Sequence, residues 1–328
     1  MYAPPTPPNT AGSGFLLGML ATMLGAFAYL VYGPGIDEGY AGFGVLFAIP
    51  FALGALVGGL GWASYNTVGC ILAPIVLFAI LFPLVYFGVG EGLVCIMMVL
   101  PFWLVGGIGG ALAGLIIKIR REEAEREAAS GTRLKISAAL TLPFALIYAE
   151  EMSPPEWQER SVTRTVTIAA SAEEVWPMLV AIPDIAGDEG KATFTHDVIG
   201  IPRPSDAALV ERESGLVREA EWGPNIRFEE HVDEIVEGER IAWSFVFPDE
   251  SVQAHTDKHI NPDGPVVKIA RGGYTLSDTG NGEVELTLTT QYQMRTRLGW
   301  YFGLWGEVLL GDVHDNVLEV IKVRAEAG

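Results

Sequence analysis

Four long segments without an ionisable side chain constrain this chain more than any other feature. Gly14–Tyr32, Ala41–Trp62, Val68–Val89 and Leu93–Ile117 contain no Asp, Glu, Lys, Arg or His. A helix needs about 20 apolar residues to cross a bilayer, so the pattern predicts four transmembrane helices over 14–117. The opening "MYAPPTPPNTAGSG" has no basic residue, which argues against a cleaved signal peptide, and its prolines predict a disordered tail over 1–13. Glycines recur at four-residue spacing: Gly14 and Gly18, Gly54 and Gly58, and Gly106, Gly110 and Gly114. Such faces let backbones approach closely, within one chain or in an oligomer. Pro50, Pro74, Pro83 and Pro101 predict kinks. Without intramembrane ionisable groups, an ion or proton path lacks its usual parts.

Charge divides the chain. Residues 1–150 hold six Lys/Arg and eight Asp/Glu, against fifteen and thirty-two in 151–328, so −17 of the net −19 lies in the second part. That part also holds all five histidines. So acidic a domain repels nucleic acid and anionic head groups, and nucleic acid is excluded as a partner. The two cysteines, Cys70 and Cys95, fall in apolar segments, which leaves the polar part without a disulfide framework or a thiol nucleophile.

All six Lys/Arg of the first part lie in "KIRREEAEREAASGTRLK", residues 118–135, read as a charged loop. The positive-inside rule places it in the cytoplasm, with the N-terminus on the same side. "ISAALTLPFALIYA", within 136–150, is read as a fifth, short span, which would carry the rest of the chain out of the cytoplasm; if it does not span, the C-terminal domain is cytoplasmic. Residues 151–159, with Pro154 and Pro155, form a linker.

From 160 to 328 the periodicity changes. "SVTRTVTIAA" alternates as a strand. A helix follows over 171–182, with Ser171 and Glu174 at capping-box spacing and Pro183 as its stop. Residues 193–200 are a weak strand candidate. Six further strand-like runs follow in three turn-linked pairs, and residues 301–326 read as one long helix with a Leu310, Val313, Val317, Val320, Ile321 stripe. The fold class is thus an α-helical multi-pass membrane region followed by an α+β domain, a curved antiparallel sheet covered by its C-terminal helix.

"VTIAASAEEVWPMLVAIPDI" and the closing "LLGDVHDNVLEVIKVRAEAG" resemble the START-like, or SRPBCC, superfamily, which includes polyketide cyclase-like proteins and the major birch pollen allergen. Within it the chain looks like membrane-tethered bacterial members of unassigned function. The resemblance spans about residues 160–326. It implies a helix-grip fold with a deep apolar cavity, but no single reaction, since members bind lipids, carry sterols, cyclise polyketides or sense ligands.

Alternation assigns the inward faces. Val284, Leu286, Leu288, Thr290, Tyr292 and Met294 share one; Ile241, Trp243, Phe245 and Phe247 share another. Leu216, Arg218, Ala220 and Trp222 point the same way, as do Ile226, Phe228, Glu230 and Val232. Arg218 and Glu230 are therefore either a structural ion pair, unless a bulge turns one outward, or anchors for a ligand's polar head. Tyr274, after a bulge expected at Arg271-Gly272-Gly273, and Tyr292 offer hydroxyls. His314 borders the helix stripe as a core histidine, a hydrogen-bond donor or a general base. His255, Asp257 and His259 have a metal-like spacing, but Pro248, Pro262 and Pro265 around them predict a loop. No metal or cofactor is expected, and His259 is placed at the cavity mouth. Arg203, between two prolines, either pairs with an acidic neighbour or clamps an anionic head group. Trp300, Tyr301, Phe302 and Trp305 either cap the core or touch the bilayer. Nucleophile-elbow, P-loop and dinucleotide motifs are absent from the sequence.

Together these readings point to membrane-anchored binding of an apolar or amphipathic small molecule or lipid, probed by Arg203, Arg218, Trp222, Glu230, Trp243, Phe245, His259, Tyr274, Tyr292 and His314. The expected partners are the bilayer and that ligand. A cyclase- or hydrolase-like enzyme in the same cavity and a packed structural or signalling domain are the alternatives, and whether the chain catalyses a reaction stays open.

Overall fold

The computed structural model describes residues 42–60, 67–90, 92–127, 145–213 and 215–328. The expected N-terminal tail, the first apolar segment, the end of the charged segment and most of the expected fifth span lie outside the described residues. The chain divides into two compact units, residues 1–90 with 99–154 and residues 91–98 with 155–328. Each is described by itself.

In the first unit, a π-helical turn, Gly44–Ala48, leads into α1 (Ile49–Leu60). It is followed by α2 (Thr67–Val89) and by α3 (Leu93–Glu127), of which the first unit holds residues 99 onward. Among the described residues, two helices, over Val68–Gly88 and Leu93–Arg120, are long and apolar enough to cross a membrane. The described part of the second expected span, Gly44–Gly59, is shorter than that. Glycine sets the packing of α1 on α3. A Cβ at Gly54 would collide with the Gly107 carbonyl, one at Gly58 with that of Ala111, and one at Gly110 with that of Phe51. These faces, expected from the four-residue spacing, are used inside the chain. Val45, Ile49, Leu53, Phe78, Trp103 and Ile147 pack as a cluster, and the Glu150 carboxylate accepts the Phe43 and Gly44 N–H groups at 2.8 and 3.0 Å. Along α2, Val68, Leu72, Val76, Ile80, Leu84 and Phe87 form an exposed apolar stripe.

The charged segment differs from the expected loop over 118–135: α3 runs on to Glu127. Lys, Arg and Glu are good helix formers, so charge alone does not end a helix.

In the second unit, the elements are β1 (Gln158–Ile168), α4 (Ala172–Val180), a π-helical turn Thr195–Ile199, β2 (Pro204–Arg212), β3 (Gly215–Trp222), β4 (Ile226–Val236), β5 (Arg240–Val246), α5 (Ser251–His255), β6 (Val267–Asp278), β7 (Val284–Met294) and α6 (Gly299–Ala327). The strands form one antiparallel sheet in the order β1-β7-β6-β5-β4-β3-β2. Strands β2 to β7 are a meander, and β1 closes onto β7 with Gln158 opposite Met294 and Ile168 opposite Val284. A seven-stranded antiparallel sheet with a long C-terminal helix fits the helix-grip arrangement. The core joins Ile168, Val175, Leu179, Ile241, Leu286 and Ile321 from β1, α4, β5, β7 and α6.

The alternation in β7 is realised residue by residue: Val284, Leu286, Leu288, Thr290, Tyr292 and Met294 are all buried. The capping box is present, with Glu174 accepting the Ser171 N–H and hydroxyl at 2.8 Å each. Two local readings are corrected. The 193–200 segment is no strand but the π-turn, closed by Gly200 at φ 87°. The β6 bulge falls one residue early: Ile269 opposes Tyr292 and Arg271 opposes Gln291, so Ala270 is the extra residue.

Candidate functional site

Two adjacent rows cross the inner face of the sheet. In one, Arg218 of β3 lies opposite Glu230 of β4, which lies opposite Phe245 of β5. In the next, Val232, Trp243, Gly272, Thr290 and Val162 succeed one another across β4, β5, β6, β7 and β1. Gly272 is where the chain makes room, because a Cβ there would press into the Trp243 indole at 2.6–2.9 Å. The indole lies across β6, and the Arg218 guanidinium sits 4.8 Å from its ring centre and 5.6 Å from that of Tyr274.

Arg218 and Glu230 are 2% and 8% exposed, and they meet at 2.9 Å between Nη1 and Oε2. The contact is an ion pair at close range but not an aligned hydrogen bond, since both atoms lack a hydrogen-bond partner among the described residues. Arg218 Nε, Trp243 Nε1 and His314 Nδ1 are in the same state. Burial pushes the Glu230 carboxyl above its ordinary value, against the pull of Arg218. It pushes the Tyr274 hydroxyl up to about 12, opposed by the charge and hydrogen bond of Arg218 and reinforced by Glu230.

At the other end of the rows, Thr290 Oγ1 and His314 Nε2 of α6 share a 2.8 Å hydrogen bond. Burial, aided by the positive charge of Arg164, drops His314 to about 4, so the ring is neutral at pH 7. Tyr292 is buried beside Val162 and Met294, with its hydroxyl against Gly306. Toward the surface, Trp243 and Phe245 of β5 and Phe247 just beyond its end form a ladder of rings. Phe245 meets Trp243 edge-on at 6.2 Å and stacks on Phe247 at 6.2 Å. Trp222 and Phe228 flank the ladder. Phe247 also borders an open depression lined by Pro248, Gln253 and Pro262.

The structure therefore gathers Arg218, Glu230, Trp243, Phe245 and Tyr274, with Trp222 at the flank and His314 across Gly272. Arg203 and His259 lie on loops outside the inner face. Arg203 donates to both carboxylate oxygens of Asp197 at 2.8 and 2.9 Å and to the Lys191 carbonyl at 2.8 Å, the acidic-neighbour alternative. His259 follows α5, and its N–H donates to Asp257 Oδ1 at 3.0 Å.

Three further groups were not anticipated. Arg160 and Arg164 occupy the inner face of β1 alongside buried Val162, where period two alone would have placed them. Arg164 donates to the Glu307 carboxylate and carbonyl at 3.1 Å each, in a hollow that Gly311 leaves on α6. His196, in the π-turn, is buried with Nδ1 2.8 Å from the Ile201 carbonyl and Nε2 without a partner among the described residues. An irregular turn gives no periodicity from which to read it.

Among the described residues no group of three His, Cys, Asp or Glu side chains is placed to hold a metal. No family model and no curated protein matches the chain. Solved structures with a similar fold over the C-terminal half include three of note. One is an aromatase/cyclase from Streptomyces sp. R1128, at 16% identity and TM-score 0.32, covering 51% of this chain and 94% of that one. Another is norcoclaurine synthase from Thalictrum flavum, crystallised with dopamine and hydroxybenzaldehyde, at 11% identity and TM-score 0.33, covering 52% and 90%. A third is an uncharacterized protein from Bacillus thuringiensis, at 15% identity and TM-score 0.32, covering 52% and 100%. At these identities the likenesses assign no activity to this chain.

Proposed function

We propose that this is a membrane-anchored protein whose C-terminal helix-grip domain binds an apolar or amphipathic molecule against the inner face of its sheet. One observation carries the reading: a ladder of aromatic rings leads from an open depression to buried polar atoms that lack partners among the described residues. Apolar contact along the ladder contributes roughly 25 cal/mol per Å² of buried apolar surface before the costs of binding. Arg218, Tyr274 and Trp243 then orient the polar end. Hydrogen exchange on the full chain tests this: a bound amphiphile slows exchange in peptides of β3 to β6, and unchanged exchange across lipids and apolar dyes refutes it.

The exposed apolar stripe of α2 supports the anchoring, because such a stripe is costly in water and at home in lipid. In this reading the chain spans the bilayer five times from a cytoplasmic N-terminus, and residues 160–328 lie outside the cytoplasm. A cysteine at Glu156 in a chain without Cys70 and Cys95 would then react with an impermeant maleimide in intact cells. Labelling only after lysis would reverse the sidedness.

Turnover in the same interior is the second reading. It is favoured by the Tyr274 hydroxyl beside the Arg218 guanidinium, the donor pair that a developing oxyanion needs. Product release from aryl ester or polyketide-like substrates, abolished by Tyr274→Phe, would select it.

A further inference from the structure

The interior polar cluster holds one cation and one anion, yet its donors outnumber its acceptors. Arg218 Nε and Nη1 and Trp243 Nε1 are three N–H groups, all buried and all without an aligned acceptor among the described residues. Glu230 touches the guanidinium, but its Oε2 accepts no aligned hydrogen bond from Nη1. An ordinary structural ion pair would have paired these groups in full, because an unmet buried donor costs about 1–3 kcal/mol. What the donors lack is a second oxygen acceptor of carboxylate geometry, and the ring ladder of β5 supplies the apolar wall for the rest of such a molecule.

We propose that the ligand of this interior is an apolar carboxylate, and that binding it makes Glu230 take up one proton. The proposal rests on the binding reading above. Arg218 carries a single charge, and two buried carboxylates sharing it cannot both remain ionised. The incoming carboxylate takes the guanidinium, and a proton from solvent goes to Glu230, so the interior stays neutral overall. The groups around Glu230 favour that exchange. Arg218 of β3 is the cation facing it, Tyr274 of β6 adds a neutral hydroxyl, and Phe245 and Trp243 of β5 are uncharged. His314 of α6, across Gly272, is neutral at pH 7. Burial already raises the Glu230 carboxyl, and the bound carboxylate, a like charge beside it, raises it further.

The test is calorimetry on the full chain in detergent, with empty-micelle titrations subtracted, using 2-naphthoate and the uncharged 2-naphthylmethanol. Titrations in phosphate and in Tris, whose ionisation enthalpies differ, count protons directly. The expected result at pH 7.5 is about one proton taken up per naphthoate, an affinity that falls about tenfold per pH unit from 6.5 to 8.5, and weaker binding of the alcohol. Glu230→Gln should bind naphthoate more tightly at pH 8 with no proton uptake. The wild-type proton count stands alone should that variant fail to fold. Naphthoate binding without proton uptake, or alcohol binding equally well, overturns the inference and leaves the binding reading intact. Binding of neither probe beyond the micelle overturns both.

Discussion

At the scale of single residues, the ion pair in the sheet interior is expected to behave as a coupled unit. Removing one partner strands a buried charge, so Arg218→Met should cost about 3–5 kcal/mol. Arg218→Met with Glu230→Gln should recover most of that loss, read as the urea midpoint of tryptophan fluorescence. Equal losses in the single and the double variant would mean that the pair is not coupled. The histidines set a pH dependence. His196 and His314 are both lowered by burial. A folded value below the unfolded one of about 6.5 means that the unfolded chain binds more protons as pH falls. Their contribution is therefore complete above pH 6.5 and lost as pH falls from there toward 4, about 3 kcal/mol for His314 at one pKa unit per 1.36 kcal/mol. Glu189, held down to about 2 chiefly by its hydrogen bond to Arg324, contributes in the same direction but below pH 4.5. Unfolding midpoints between pH 7.5 and 5 read this loss, and His314→Gln should flatten the slope by removing the His314 share of it.

At the scale of elements, glycines mark where backbones or rings must pass closely. Gly272→Ala should drive the Trp243 indole off β6, costing about 1–3 kcal/mol and moving the protein's emission to the red. Gly54→Val meets the backbone carbonyl of Gly107, which has no rotamer to yield, so it should lower the midpoint in detergent more than Gly59→Val, whose Cβ would meet nothing within 4 Å. The sequence made several of these elements legible. Strands β2 to β7 announce themselves as three turn-linked pairs, and period two is cleanest in β7, where it runs unbroken from Val284 to Met294. The facing of Arg218 and Glu230 followed from the same alternation, and their register confirms the pairing. What stayed hidden depends on partners distant in sequence or on irregular backbone. Arg164 is recognisable as an interior group only beside Gly311, 147 positions away. The π-turn holding His196 has no period to read, and α3 outlasts its apolar stretch because helix propensity is indifferent to charge.

At the scale of the whole molecule, composition separates the chain more sharply than any single motif. The apolar helices of the first unit bury glycine backbones against one another and leave a lipid-compatible stripe outside. The acidic second unit keeps most of its charge on surfaces and loops, with Arg218, Glu230 and Asp257 buried. Carbonate extraction of membranes checks the anchor: full-length chain should stay in the pellet, and release into the supernatant would count against it. Whether the interior is occupied was not legible, since alternation says which side chains face inward and nothing about how completely they fill the space between sheet and helix.

The pairing of β1 with β7 has a consequence for how the protein is made. The first strand of the domain finds its partner only after about 115 further residues have left the ribosome, and α6 follows later still. Contacts so distant in sequence are slow to form. In the membrane-anchored reading, the apolar helices, synthesised first, have time to enter a bilayer while β1 waits with an unpaired edge. A messenger truncated before residue 284 would thus yield a chain in which β1 never finds its partner.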